Sequence, residues 1–172
     1  MAGLSLLTAW ASWGLLIAVL LVGPWTARAR KSAPVNVVLR RRLGIAAASA
    51  GLLHAWLGTE HSMTRAYLDA VIRTSPAGDP GGARAVFGWG AALGAVAAVV
   101  VLVPLALSND WSLRRLGPGR WKALQRLAWV YFALVTAHGV LFQVLERRPW
   151  PAAAAFAVLA GTPLLARIRR RR

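Results

Sequence analysis

The chain has 172 residues, 58% of them hydrophobic and 15% charged, with 21 Lys and Arg against 5 Asp and Glu for a formal charge of +16. That apolar content excludes an ordinary soluble domain, and basic residues that neither line one face nor alternate with aromatics argue against nucleic acid. The absence of cysteine excludes disulfides, thiolate metal sites, iron–sulfur clusters and covalently attached c-type haem.

The apolar residues fall in blocks of about 17 to 25 positions, the length a helix needs to cross ~30 Å of hydrocarbon at ~1.5 Å per residue. The sequence therefore predicts an all-α integral membrane protein, a bundle of about five transmembrane helices in a single domain spanning residues 1–172. The first block, about Leu4 to Trp25, has no basic residue before it and Arg28, Arg30 and Lys31 just after it, the reverse of a cleavable signal peptide. It reads as a retained helix with its N-terminus outside. The polar stretch Ala27 to Arg42 holds six basic and no acidic residues and reads as cytoplasmic.

The second helix is expected over about 43–60. A loop from about His61 to Ala85 balances Arg65, Arg73 and Arg84 against Asp69 and Asp79, and its Ser75 to Gly82 run is rich in turn residues, as befits an external loop. The third helix is expected over about 86–107, with Pro104 kinking or ending it. Ser108 to Lys122, carrying Arg114, Arg115, Arg120 and Lys122, returns to the cytoplasm. The fourth and fifth helices follow at about 121–145 and 150–166, before a tail from Arg167 to Arg172 with five arginines. About sixteen basic residues then lie inside and five outside, which is an N-out, C-in topology in a multi-pass membrane protein. Trp25, Trp111, Trp121 and Trp150 fall near helix ends and read as interfacial anchors, and the arginine tail as a topology and anionic-lipid anchor.

Histidine is the strongest metal ligand type left, and there are three: His54, His61 and His138. An ionisable group inside a membrane span is a functional candidate, because leaving it unpaired in hydrocarbon costs several kcal/mol. His54 lies twelve residues past Arg42, ~18 Å up the second helix, and His138 sixteen past Lys122, ~24 Å up the fourth. The two helices run in the same direction, so the imidazoles lie at similar depth and can ligate one haem iron from its two faces. Gly44, Gly51 and Gly58 recur at seven-residue spacing around His54, and Gly139 follows His138, giving room for a flat ring. The competing reading is a pair of hydrogen-bonded packing histidines among Gly/Ala faces that serve close helix packing. His61, one heptad beyond His54 and between Glu60 and Ser62, is the second candidate on that helix and reads as a solvated boundary residue.

Arg41-Arg42-Leu43-Gly44 leading to Leu53-His54 resembles the "RRxLG…LH" helix of ferric-reductase-like transmembrane domains. Ser108-Asn109-Asp110, Leu116-Gly117, Trp121-Lys122, Leu124-Gln125-Arg126-Leu127 and then His138 resemble the "TSN…LGxxWxxLHxLxY…H" segment of the same family, in order. The resemblance runs over roughly residues 8 to 166. It implies one b-type haem held by His54 and His138, with Gly51 and Gly58 beside it, electron transport to or from a partner redox protein, and a bacterial-type inner membrane. The family includes the haem-binding membrane subunit of a methionine-sulfoxide reductase system. Gln125, thirteen residues before His138, stands where the family has a further histidine, which implies that an inner haem site is missing. No G-x-G-x-x-G follows a strand pattern, so reducing equivalents are expected from a partner, a quinone or a bound flavin. The rival readings are a haem-free membrane scaffold or anchor that keeps the fold, and a solute transporter, the latter disfavoured by the lack of membrane-embedded acidic residues.

Overall fold

In the computed structural model, described for residues 2–29, 37–62, 80–146 and 149–171, the apolar blocks are helices and no strand occurs among the described residues. They are α1 (Ala2–Ala29), α2 (Val37–Ser62), α3 (Pro80–Ala106), α4 (Asp110–Gln125), α5 (Leu127–Leu145) and α6 (Trp150–Arg171). Four stretches are long and apolar enough to cross a membrane: Gly3–Gly23, Gly81–Ala106, Asp110–Leu145 and Trp150–Arg169. The fifth expected span, α2, does not reach that hydropathy, because Ser49, His54, Thr59 and three glycines dilute its apolar residues. It nevertheless packs along α1 as a full member of the bundle.

The centre of the bundle is α1. Its Trp13, Leu16, Ile17 and Leu20 are buried against Ala47 and Ala48 of α2, Ala97 and Val101 of α3, and Tyr131 and Phe132 of α5. The other spans are far less buried, and exposed Val96, Val99 and Leu102 on α3 or Val140 and Val144 on α5 form the apolar surface that lipid would cover. The helices pair antiparallel: Ser5 meets His54 and Ser12 meets Ala47 between α1 and α2, and Gly90 meets His138 while Pro104 meets Gln125 between α3 and α4–α5. The two packed pairs are α1 with α2 and α3 with α5; α2 and α5 do not pack closely on each other.

Most helices run past the sequence-based spans: α1 continues to Ala29, α2 begins at Val37 and α6 continues to Arg171. The third helix begins six residues earlier than expected, at Pro80, since proline suits a first helical turn whose N–H groups have no partner anyway. The stretch expected as a cytoplasmic loop is instead α4, which is kinked within its own length at Gly117, at φ 71° and followed by Pro118. The φ is in the left-handed region that glycine adopts without strain.

The turn between α3 and α4 shows why its residues are there. The last carbonyls of a helix have no intrahelical partner. Ser108 Oγ donates to Pro104 O (2.6 Å), Asn109 Nδ2 to Ala106 O (2.7 Å) and Trp121 Nε1 to Leu107 O (2.8 Å). Asn109 also caps α4 by accepting from the Ser112 N–H at 2.8 Å. Trp121, expected as an interfacial anchor, thus closes a helix end, whereas Trp111 and Trp150 are 68% and 80% exposed, as anchors are. The expected anchors Trp25 and the last arginines have side chains outside the described residues, as does the loop 63–79.

Arg41 ties α2 to α4 through a 2.7 Å ion pair with Asp110. The hydrogen bond and charge of Arg41 hold the Asp110 carboxyl below its ordinary value. A carboxyl depressed on folding contributes stability above its unfolded value and loses it as pH falls through the folded one. Asp110→Asn should therefore unfold slightly more easily than the parent at pH 7 and match it in acid below the carboxylate range, as read by thermal unfolding in detergent.

Candidate functional site

Two imidazoles meet between the packed helix pairs. The ring centres of His54 on α2 and His138 on α5 are 6.1 Å apart, with planes at 73°. Each is fixed by a backbone carbonyl of the helix it packs on: His54 Nδ1 lies 2.9 Å from Ser5 O of α1, and His138 Nδ1 lies 2.8 Å from Gly90 O of α3. A carbonyl can only accept, so both Nδ1 atoms carry the proton and both Nε2 atoms keep a lone pair. Ser5 Oγ, 3.2 Å from His54 Nδ1, adds a second polar neighbour.

This is the arrangement in which histidine ligates a metal, with one nitrogen held by a carbonyl that sets tautomer and ring orientation and the other free.

Both rings border a cavity of about 810 Å³ between α1, α2, α3, α5 and α6, within the ~300–1,000 Å³ of small-molecule sites. Its wall is apolar and aromatic, with Trp10, Trp13 and Phe156 in one cluster in which Trp13 and Phe156 stack at 4.1 Å. Trp13 Nε1 and Gln143 Oε1, both in residues of this wall, are buried and have no hydrogen-bond partner among the described residues. An orphaned donor and acceptor in a cavity wall are costly unless an occupant pairs with them. Apolar walls for a flat ring, two free Nε2 atoms and spare hydrogen-bonding groups fit a haem.

The other sequence candidates divide. Gly51 and Gly58 both line the cavity. A Cβ at Gly51 would run into Tyr131 OH and Ser12 Oγ, so this glycine also admits the Tyr131–Ser12–Ala47 hydrogen-bond chain that joins α5, α1 and α2. Gly44, on the same heptad face, has nothing within 4 Å. His61 falls in the last turn of α2, and its side chain lies outside the described residues. Gln125 donates to Pro104 O at 3.3 Å and so helps close α3. The residue aligned with it by spacing on α2, Arg41, is in the ion pair with Asp110.

Sequence reasoning missed Ser5, Tyr131, Gly90 and Gly94. The spacing Gly90-x-x-x-Gly94 is a signal that was there to be read; Ser5 acts partly through its carbonyl, which no side-chain pattern reveals.

No protein-family model matches the chain, and no solved structure matches it. Among curated proteins, the chain is similar to the protein-methionine-sulfoxide reductase heme-binding subunit MsrQ of Agrobacterium fabrum, 50% identical over 54 residues, and to that of Brucella anthropi, 47% identical over 55 residues. Each match covers 31% of this chain and spans 23% of the relative's own length.

Proposed function

We propose that this protein is a membrane haem electron-transfer protein in which His54 and His138 would hold one haem b, exchanging electrons with a partner redox protein. The observation that carries the reading is the pair of imidazoles with both Nδ1 atoms bound to carbonyls and ring centres 6.1 Å apart. The names of the partial relatives support it, since both are heme-binding subunits of a reductase system. When bound, haem supplies an iron that takes up and releases one electron at a time.

The chain's own residues then have assigned work. Ser5 O and Gly90 O hold the two rings, and each N–H···O bond makes the ligating nitrogen more basic. The aromatic wall keeps water from the ring, and burial with ligand basicity sets the potential. Among the described residues no three His, Cys, Asp or Glu come together, so a metal at this pair must bring its remaining ligands with it, as a macrocycle does. The basic ends of the helices are placed in the cytoplasm and the termini N-out, C-in, in a bacterial-type inner membrane. The electron donor is read as a partner protein, a quinone or a bound flavin.

The single-haem reading is supported at the other end of the same helices. Thirteen residues before the ligands stand Arg41, in an ion pair, and Gln125, bonded to Pro104 O. On α2 at neighbouring depth are Ile45, Ala46, Ala47 and Ala48, none of which can bind iron. Gln125→His alone should leave the haem-to-protein ratio near one, measured by pyridine haemochromogen against amino-acid analysis. A ratio near two in either protein contradicts the single-site reading, and no haem at all in haem-replete cells favours the scaffold.

A further inference from the structure

Helix α3 carries neither imidazole, yet His138 rests on it. Its Nδ1 reaches Gly90 O at 2.8 Å, a carbonyl that is also the helical acceptor for the N–H four residues on, at Gly94. A Cβ added to Gly94 would stand 2.9 Å from His138 Nδ1, 3.0 Å from Cε1 and 3.8 Å from Cγ. The first is closer than real Cβ contacts come and the second is tighter than nearly all of them, and the ring cannot swing away without leaving Gly90 O. At Gly90 itself a Cβ would meet Phe142 Cε2 at 2.7 Å, and Phe142 packs over His138 with ring centres 4.8 Å apart. Residues four apart share a helix face, so Gly90 and Gly94 form one groove. In common glycine pairs of this spacing the groove admits a neighbouring backbone; here two rings of α5 fill it.

We infer that Gly94 is a positioning residue for the haem: its missing side chain lets the His138 ring lie against α3, where Gly90 O fixes its orientation and tunes its bond to iron. The inference rests on His138 being a haem ligand. It assigns α3 a role in the potential and separates the two ligands, since His54 is held by the start of α1 and not by a glycine groove.

The test compares Gly94→Ala with Gly88→Ala, a glycine of the same helix with nothing within 4 Å of its added Cβ. Gly88→Ala should keep the parent's haem content, low-spin EPR signal and midpoint potential. Gly94→Ala should release haem about 10- to 100-fold more readily, the usual effect of losing a group that orients a metal-bound histidine, with a changed low-spin EPR signal and a shifted potential. Added imidazole should restore a six-coordinate spectrum in Gly94→Ala, because the vacated position on the iron can be filled from solution. Unchanged EPR and potential in Gly94→Ala, or haem loss that imidazole does not rescue together with lowered thermal stability, overturns the inference. His138→Ala in parallel keeps the two claims apart: haem retained there sinks the ligand reading, while haem lost there beside an unaltered Gly94→Ala sinks only the role of Gly94.

Discussion

Purified His54→Ala and His138→Ala proteins should each carry almost no haem while keeping the helical content of the parent. On the proposed reading each removes one of the two imidazoles that would hold the haem, and since groups that only orient a metal ligand are worth ~10- to 100-fold in affinity, loss of the ligand itself should lower haem content by more than about tenfold. The fold should survive because neither ring belongs to the core that α1 builds with Ala47, Ala48, Ala97 and Phe132. His61→Ala should retain haem. Haem lost from His61→Ala and kept in His54→Ala would move the α2 ligand one heptad along.

The second large effect is structural. Gly51→Ala places a methyl group against Tyr131 OH and Ser12 Oγ, which are bonded to one another at 3.3 Å and, through Ser12, to Ala47 O at 2.9 Å. Neither oxygen can retreat without breaking a buried hydrogen bond, so overpacking should cost about 1–3 kcal/mol, with a further ~1–3 kcal/mol if a buried hydroxyl loses its partner. Gly44→Ala, with nothing within 4 Å, should be neutral or stabilising by a few tenths of a kcal/mol as helix propensity dictates. Thermal unfolding in detergent should therefore separate two glycines that the heptad pattern treats alike. Equal midpoints would mean that the Tyr131–Ser12 chain does not hold the three helices together.

Much of this molecule was legible because lipid leaves few options. Apolar blocks of spanning length must be helices, and counting residues from Arg42 and Lys122 put His54 and His138 at one depth, where their rings are found 6.1 Å apart. What the count could not supply is which neighbours touch. Ser5 O and Gly90 O are acceptors that every residue possesses, and only the packing of α1 on α2 and of α3 on α5 selects these two. Gln125 read only as the mark of a missing inner haem site because its partner, Pro104 O, is an orphan carbonyl produced by the end of another helix. The helical state of Asp110–Gln125 was hidden by its arginines, which mark a side of the membrane and say nothing of backbone conformation. Gly51 and Gly58 of the glycine face of α2 line the cavity, but heptad spacing cannot tell a glycine beside a cofactor from one beside a tyrosine.

The visible spectrum of the purified wild-type protein, made in haem-replete cells, tests the central claim most directly. Two neutral imidazoles on one iron predict a six-coordinate, low-spin haem b, with a sharp Soret band, a well-resolved α-band on reduction, and one haem per chain. Protein free of haem, or a five-coordinate high-spin spectrum unchanged by His54→Ala or His138→Ala, would contradict it.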